Sequence, residues 1–380
     1  MAFLKALQSL FKKKIPFTLP GEGERPAYRD TLSVINDLSR LVQNDPEAVD
    51  IYLALGNLFR AQGDIERAVF IREGLIARPN LNTQFKARAY FELGQDYQRS
   101  GLVDRALAAF REAARLGYSQ SAVTVALAEL FASAGDFERA AEEYGRLNHP
   151  LAQAHYIVRQ SKEYVDTGNF SRSQKLLKRA LRIYPGSVEA WSTNIRMAVL
   201  EESPRQTCLF LERALERVAP RLHFLLLDAL LSSLTEAKSS LRTVTTKWDE
   251  AKEPKNFVQE IAAMATPILK KQEPHTLLHY YGALLLQQAN DIEGVDIWLA
   301  KALVMQPDFW AARLLFLDLA VQKHELSPVV GLQVRYLAEE LKYIRRFTCT
   351  VCGFRENQIF YRCRRCGSWH SLAFRTSLQQ

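Results

Sequence analysis

At 380 residues the chain is long enough for more than one domain, and 48% apolar with 24% charged residues is a globular composition, which excludes a disordered chain. The net charge of +8 sits at the ends: from Lys342 onward eight basic residues stand against Glu356 alone, and Lys5, Lys12, Lys13 and Lys14 open the chain. Basic ends imply an anionic surface nearby, whether lipid, nucleic acid or an acidic protein, and the usage of five cysteines fits a reducing cytoplasm.

Residues 1–28 read as an amphipathic segment followed by a linker. Phe3, Leu4, Leu7, Leu10 and Phe11 fall on one helical face, but the apolar run is far short of the roughly 20 residues that span a bilayer. The order of charge is not that of a signal peptide either. Neither a transmembrane helix nor a signal peptide is therefore expected. Two readings stay open for the segment: a helix lying on an anionic membrane surface, or a terminus that frays or packs on the body. Pro16, Pro20, Gly21, Gly23 and Pro26 form the linker.

Residues 29–345 carry an internal repeat. Tyr52, Leu55, Gly56, Phe59, Gly63 and Ala68 recur as Tyr90, Leu93, Gly94, Tyr97, Gly101 and Ala106, then as Leu127, Ala128, Phe131, Gly135 and Ala140, at offsets of 38 and 34 residues. This is the tetratricopeptide pattern. Small residues let the two helices of a hairpin approach closely, aromatic residues fill the gap to the next hairpin, and a glycine ends the first helix. A fourth unit is legible in Tyr164, Gly168, Leu177 and Ala180, and a fifth around Trp191, Leu211 and Ala214. Beyond it the period blurs. Leu222 to Leu234 reads as a buried helix, Lys247 to Asn256 as a loop or helix break, and periodicity returns at Tyr281, Gly282, Trp298 and Ala302. The expected fold is an all-α superhelix of about seven to nine hairpins.

In such arrays the first helix of each hairpin lines the concave face. That face receives Asp50, Leu53, Asn57 and Arg60, then Arg88, Phe91, Gln95, Gln98 and Arg99, then His155 and Lys162. As a groove for a protein client it makes Asn57, Arg60, Arg88, Gln95, Gln98, Arg99 and Lys162 candidate contacts; the alternative for each is a merely solvated position. Cys208, alone in an apolar segment, reads as a core residue.

Residues 346–380 hold the sharpest motif, Cys349 and Cys352 with two residues between them, followed by Cys363 and Cys366 in the same spacing. A thiolate pair of this spacing grips one ion from a tight turn, and a glycine after each second cysteine, here Gly353 and Gly367, takes a positive φ there. The expectation is one tetrahedral Cys₄ site, which suits zinc or iron equally. His370 is superfluous as a fifth ligand and reads as a surface residue. No phosphate loop, nucleophile elbow or zinc-protease motif occurs, and a metal with all four positions filled is closed to substrate, so no enzyme is expected. Arg364 and Arg365 are candidate contacts to a second partner. The alternative function is nucleic-acid binding, with Arg355, Arg362, Arg364 and Arg365 on phosphates and Phe360, Tyr361 or Trp369 stacking on bases.

Three passages carry a family resemblance: Leu55-Gly56-Asn57-Leu58-Phe59-Arg60 with Glu66-Arg67-Ala68; Leu93-Gly94-Gln95-Asp96-Tyr97 with Asp104-Arg105-Ala106; and Tyr361, the paired cysteines and Trp369. Together they resemble the lipopolysaccharide assembly protein B family, bacterial tetratricopeptide proteins ending in a rubredoxin-like metal domain. The resemblance implies an adaptor on the cytoplasmic face of the inner membrane. It would bring the deacetylase that commits carbon to lipid A to a membrane-bound ATP-dependent protease. The family's best-known form has an N-terminal transmembrane helix, where this chain has only the Phe3 to Phe11 stretch. Rubredoxin-type knuckles often carry proline after the first cysteine of a pair, where Thr350 and Arg364 stand here.

Overall fold

A computed structural model describes residues 48–244, 255–323, 327–341 and 344–377; the N-terminal segment, its linker and most of the polar stretch after Lys247 lie outside them. The described residues are sixteen helices and three short strands, divided into two compact units at Ser119 and Gln120. Eight successive helix pairs agree with the hairpin count expected from the repeat.

The first unit holds α1 (Val49–Gln62), α2 (Ile65–Ile76), α3 (Thr83–Arg99) and α4 (Val103–Arg115). Its hairpins close because the small positions are in the right places. A Cβ on Gly94 would lie 2.6 Å from the Phe110 ring, and one on Gly56 would lie 3.0 Å from the Arg72 guanidinium. Gly63 ends α1 at φ 88°, a left-handed position that glycine enters without a Cβ clash. Between α1, α2 and α3 lies a buried ionic cluster. Arg72 donates to Asp96 at 2.9 Å and to Asn57 at 2.6 Å, while Arg60 donates to Asp96 at 3.0 Å and to Glu92 at 2.6 Å. Burial raises the Asp96 carboxyl and lowers the Arg72 guanidinium, and each charge opposes the shift of the other.

The second unit begins with α5 (Gln120–Ser133), α6 (Phe137–Arg146), α7 (Pro150–Asp166), α8 (Phe170–Ile183), α9 (Val188–Leu200) and α10 (Pro204–Arg217). It continues with α11 (His223–Val244), α12 (Lys255–Lys270), α13 (Thr276–Gln288), α14 (Ile292–Met305), α15 (Trp310–Gln322) and α16 (Pro328–Leu341). The leucine-rich run is buried within α11, as expected, and Cys208 is buried in the same core, its thiol pushed up to about 11 by burial. Where the repeat blurs, the geometry persists with other residues. Asn290 takes a left-handed φ of 62° just after α13, the place that Gly63 fills after α1. Asparagine tolerates that region better than most side chains.

Gly282 is the tightest of these approaches, since a Cβ there would meet the Trp298 ring at 2.4 Å. Both residues are in the main core of the unit, so Gly282→Ala should destabilise it by about 1–3 kcal/mol through overpacking. A urea midpoint equal to that of the parent chain would show that α13 and α14 do not pack as described.

Candidate metal centre and its seat on the repeats

After α16 the chain forms β1 (Phe347–Cys349), β2 (Arg355–Glu356) and β3 (Leu372–Phe374), an antiparallel sheet in the order β2-β1-β3. Phe347 pairs with Glu356 on one side and Phe374 on the other, which sets the register that carries Cys349 to the end of β1. Each cysteine pair then makes the same turn. Gly353 N–H donates to the Cys349 carbonyl and Gly367 N–H to the Cys363 carbonyl, both at 2.9 Å, and the glycines stand at φ 69° and 72°.

The two turns bring four sulfurs within 4.8 Å of one another. Cys349 Sγ is 3.7 Å from Cys366 Sγ, and Cys352 Sγ is 3.6 Å from Cys363 Sγ. These separations are far too long for a disulfide. They match the edge of a tetrahedron of sulfurs about 2.3 Å from a common centre, roughly 3.8 Å, so the donor set fits one zinc or iron ion. The Ser371 hydroxyl lies 3.2 Å from Cys349 Sγ, a hydrogen bond of the kind that orients a metal-ligating thiolate.

The knuckle does not stand apart from the repeats. Phe374 packs against Phe224, Tyr281, Phe309, Trp310 and Phe347 with ring centroids 5.7–6.4 Å apart, and the Trp310 indole N–H donates to the Arg375 carbonyl at 2.7 Å. Phe347, Cys349, Phe360, Cys363 and Leu372 belong to the same buried cluster as α9 to α15. On its other side the knuckle sits on the first helices of three hairpins. Arg362 donates to Glu129 of α5 at 2.6 Å, and the Trp369 ring lies 4.9 Å from His155 of α7 and 6.3–6.4 Å from Tyr156 and Tyr144. Lys162 of α7 lies 5.8 Å over the Tyr361 ring.

At the centre of this seat is Glu189 of α9, which is 3% exposed. One carboxylate oxygen is 2.7 Å from His155 Nδ1 and the other 3.4 Å from His370 Nε2. Burial alone would raise the Glu189 carboxyl, but the two imidazoles outweigh it and hold it at about 2. Burial pushes the Lys162 ammonium below its ordinary value, partly opposed by Glu189.

His370 is thus buried, not on the surface as expected. The antiparallel bridge between Arg362 and Trp369 turns the chain after Cys366 so that Trp369 and His370 both meet the helices. No sequence signal marked this seat, since an acidic residue in the first turn of a helix, as Glu189 is in α9, is commonplace. Phe360 is buried, and Tyr361 and Trp369 are packed on α7, so the three aromatic residues read as base-stacking candidates are engaged within the protein. Of the predicted groove residues, Leu53 and Phe91 are buried, the latter stacked on Tyr118 at 4.5 Å. Asn57 and Arg60 are held in the ionic cluster of the first unit and Lys162 lies under the knuckle. Arg88 is exposed and 3.4 Å from Asp50, Gln95 and Gln98 are half-buried, and Arg99 is exposed. Arg364 and Arg365 are exposed, with Arg364 3.9 Å from Glu356.

Comparison with known proteins bears on the repeats and on the chain as a whole. Residues 35–81 and 91–147 match the tetratricopeptide repeat family. Lipopolysaccharide assembly protein B of Escherichia coli (strain K12) is 20% identical over 346 residues, covering 87% of this chain and 82% of its own. Its namesake from Haemophilus influenzae is 23% identical, covering 92% and 93%. Among solved structures, MamA is 21% identical with a TM-score of 0.32 over 40% of this chain and 88% of its own. YrrB, described as a tetratricopeptide protein with an unusual peptide-binding site, is 15% identical with a TM-score of 0.25 over 73% and 96%. The resemblance read from the three sequence passages holds over most of the chain. The chain is a repeat scaffold of the protein-interaction class with a cysteine cluster that could hold a metal.

Proposed function

We propose that the protein is a non-enzymatic adaptor, cytoplasmic and peripheral to the inner membrane, that presents the lipid A pathway deacetylase to a membrane-bound ATP-dependent protease. The observation that carries this reading is a repeat scaffold similar along most of its length to lipopolysaccharide assembly protein B, with its terminal knuckle built into the same core. No helix among the described residues is long and apolar enough to cross a membrane, which fits peripheral attachment. Cys349, Cys352, Cys363 and Cys366 would hold zinc or iron, which supplies a cross-link between the two turns and no open coordination position. Two surfaces are then available to partners. Arg88, Gln95, Gln98 and Arg99 of α3 form one, and Arg364 and Arg365 at the tip of the knuckle form the other.

The test separates them. Arg60 is unsuitable for reversal because a carboxylate there would face Glu92 and Asp96, so Arg88→Glu with Arg99→Glu makes one variant and Arg364→Glu with Arg365→Glu the other. Each is purified and used to capture the deacetylase and the protease in separate assays. Loss of one partner per variant, by about tenfold or more, with unchanged helix content, is the expected result. Normal capture of both partners by both variants would overturn the adaptor reading at these surfaces.

A further inference from the structure

Among the second helices of the hairpins, α8 differs in charge. The others each carry at least one carboxylate, and α2, α4 and α6 pair arginines with carboxylates nearby: Arg67 with Asp64 at 3.2 Å, Arg115 with Glu112 at 2.9 Å and Arg139 with Asp136 at 3.2 Å. α8 carries Arg172, Lys175, Lys178, Arg179 and Arg182, and no carboxylate occurs anywhere between Asp166 and Glu189. The caps differ in the same sense. Asp64 and Asp136 cap α2 and α6 and pair with the arginine three residues on, whereas Asn169 accepts the Arg172 backbone N–H at 3.3 Å and brings that side chain no counter-charge.

Helix geometry gathers these charges. At 3.6 residues per turn the five fall within about a third of the circumference of α8, opposite the buried Ser173, Leu177 and Ala180. All five are exposed and none makes an ion pair within 4 Å among the described residues; Arg172 lies 5.8 Å over the Tyr164 ring. Like charges three and four residues apart oppose the helix that carries them, and an anionic surface laid against the stripe relieves them together. Where the stripe ends, a cleft of about 500 Å³ opens between α8 and α10, lined by Leu181, Pro185, Trp191, Arg213, Arg217 and a single carboxylate, Glu216. Trp191 is buried and gives its indole N–H to the Pro185 carbonyl at 2.9 Å, so it adds apolar surface but no face on which a base could stack. No aromatic side chain of α8 itself is exposed. Cations beside a small apolar recess fit a phospholipid, anionic at its head and apolar beyond it, better than a nucleic acid strand, which draws on stacking platforms as well as on phosphate contacts.

We infer that α8 is the face on which the protein meets anionic phospholipid headgroups. Such a contact requires no shape complementarity, only a negative surface within a Debye length, about 10 Å at moderate salt. The inference rests on the reading of the protein as peripheral to the membrane and gives that attachment a surface on the folded repeats, made of residues other than those of α3 and the knuckle.

The test is flotation of the full metal-loaded chain with vesicles of phosphatidylcholine containing about one-third phosphatidylglycerol, beside vesicles of phosphatidylcholine alone. Binding to the anionic vesicles only, falling as salt rises, is expected. Each basic residue near such a surface contributes about fivefold to partitioning, so Lys175→Gln, Lys178→Gln, Arg179→Gln and Arg182→Gln together should weaken binding by more than about tenfold with helix content unchanged. The same loss is expected in a chain whose N-terminal run is neutralised by Lys12→Gln, Lys13→Gln and Lys14→Gln, which separates α8 from that segment. Equal flotation with both vesicles, flotation with neither, or flotation unchanged by the four α8 substitutions would overturn the inference; in the last case attachment itself stands and α8 has no part in it. Retention on a duplex DNA oligonucleotide or a polyglutamate peptide, through the same four residues and at a salt concentration that releases the vesicles, would overturn it in favour of that partner. Capture of the deacetylase and protease is scored separately without vesicles, so absence of flotation with intact capture removes the lipid contact and leaves the adaptor standing.

Discussion

Cys349→Ser should unseat the knuckle and loosen the second unit from α11 to α15 with it, while the first unit stays protected. The knuckle, about 34 residues, is too small to bury a stabilising core of its own, so its folding free energy must come from metal ligation and from the repeats. The dependence runs the other way as well. Phe374 fills the space between Phe224, Tyr281, Phe309 and Trp310, and Trp310 donates its backbone N–H to the Thr376 carbonyl and its indole N–H to the Arg375 carbonyl. Withdrawing one buried phenylalanine removes about 1.5–3 kcal/mol of burial, and Phe347 and Leu372 would leave with it. A loss of at least about 3 kcal/mol is expected, with most helix content retained. Amide hydrogen exchange checks this directly: protection should fall in residues 344–377 and in α13 and α15, in the variant and in chelator-treated protein alike. Unchanged protection in protein verified to be free of metal would show that the sulfurs do not brace the fold.

Glu189→Ala should release the same knuckle from its other side. The side chain is nearly inaccessible and binds one imidazole from α7 and one from the knuckle, so its removal leaves His155 and His370 facing each other across a vacated site near Lys162. Breaking a buried pair in this way costs about 3–5 kcal/mol. The pH dependence has a definite direction. The carboxyl is held at about 2 in the folded protein against 4.5 ordinarily, so its contribution of about 3 kcal/mol is complete above pH 4.5 and is lost as the pH falls toward 2. Glu189→Gln keeps the shape and removes this titration. The parent chain should therefore lose stability more steeply than the Gln variant between pH 4.5 and 2.5, as followed by urea unfolding at each pH. Parallel acid curves would mean that the carboxylate is not the clasp.

How much of this was legible in the residues depended on whether the signal was local. The hairpins of the first unit announce themselves because Gly56, Gly94, Gly63 and Ala68 must be small or left-handed for the helices to close, and a backbone requirement of that kind recurs at a fixed spacing. The four sulfurs were legible for the same reason, since the turn that presents them is complete within five residues. After α10 Asn290 replaces glycine and α11 extends to 22 residues, so packing specifies what the motif no longer does. The seat of the knuckle was not legible. Glu129 and Arg362, or Glu189 and His370, are ordinary polar residues until the fold brings them together across 233 and 181 positions. The same gap explains Asn57 and Arg60: their place on the first helix was read correctly, but not the buried Arg72 and Asp96 that engage them.

Those long separations have a consequence for how the protein is made. An open solenoid folds repeat by repeat as it leaves the ribosome, each hairpin resting on the one before. Here α5 and α9 wait for side chains that are synthesised last, and a chain halted anywhere before Arg362 leaves Glu129 without Arg362 and Glu189 with His155 but without His370. The second unit is in effect a loop fastened at its end. Repeats can be neither added nor deleted between α5 and α15 without moving the clasp away from its catch, so the length of this stretch is set by closure and not by how much surface a partner requires.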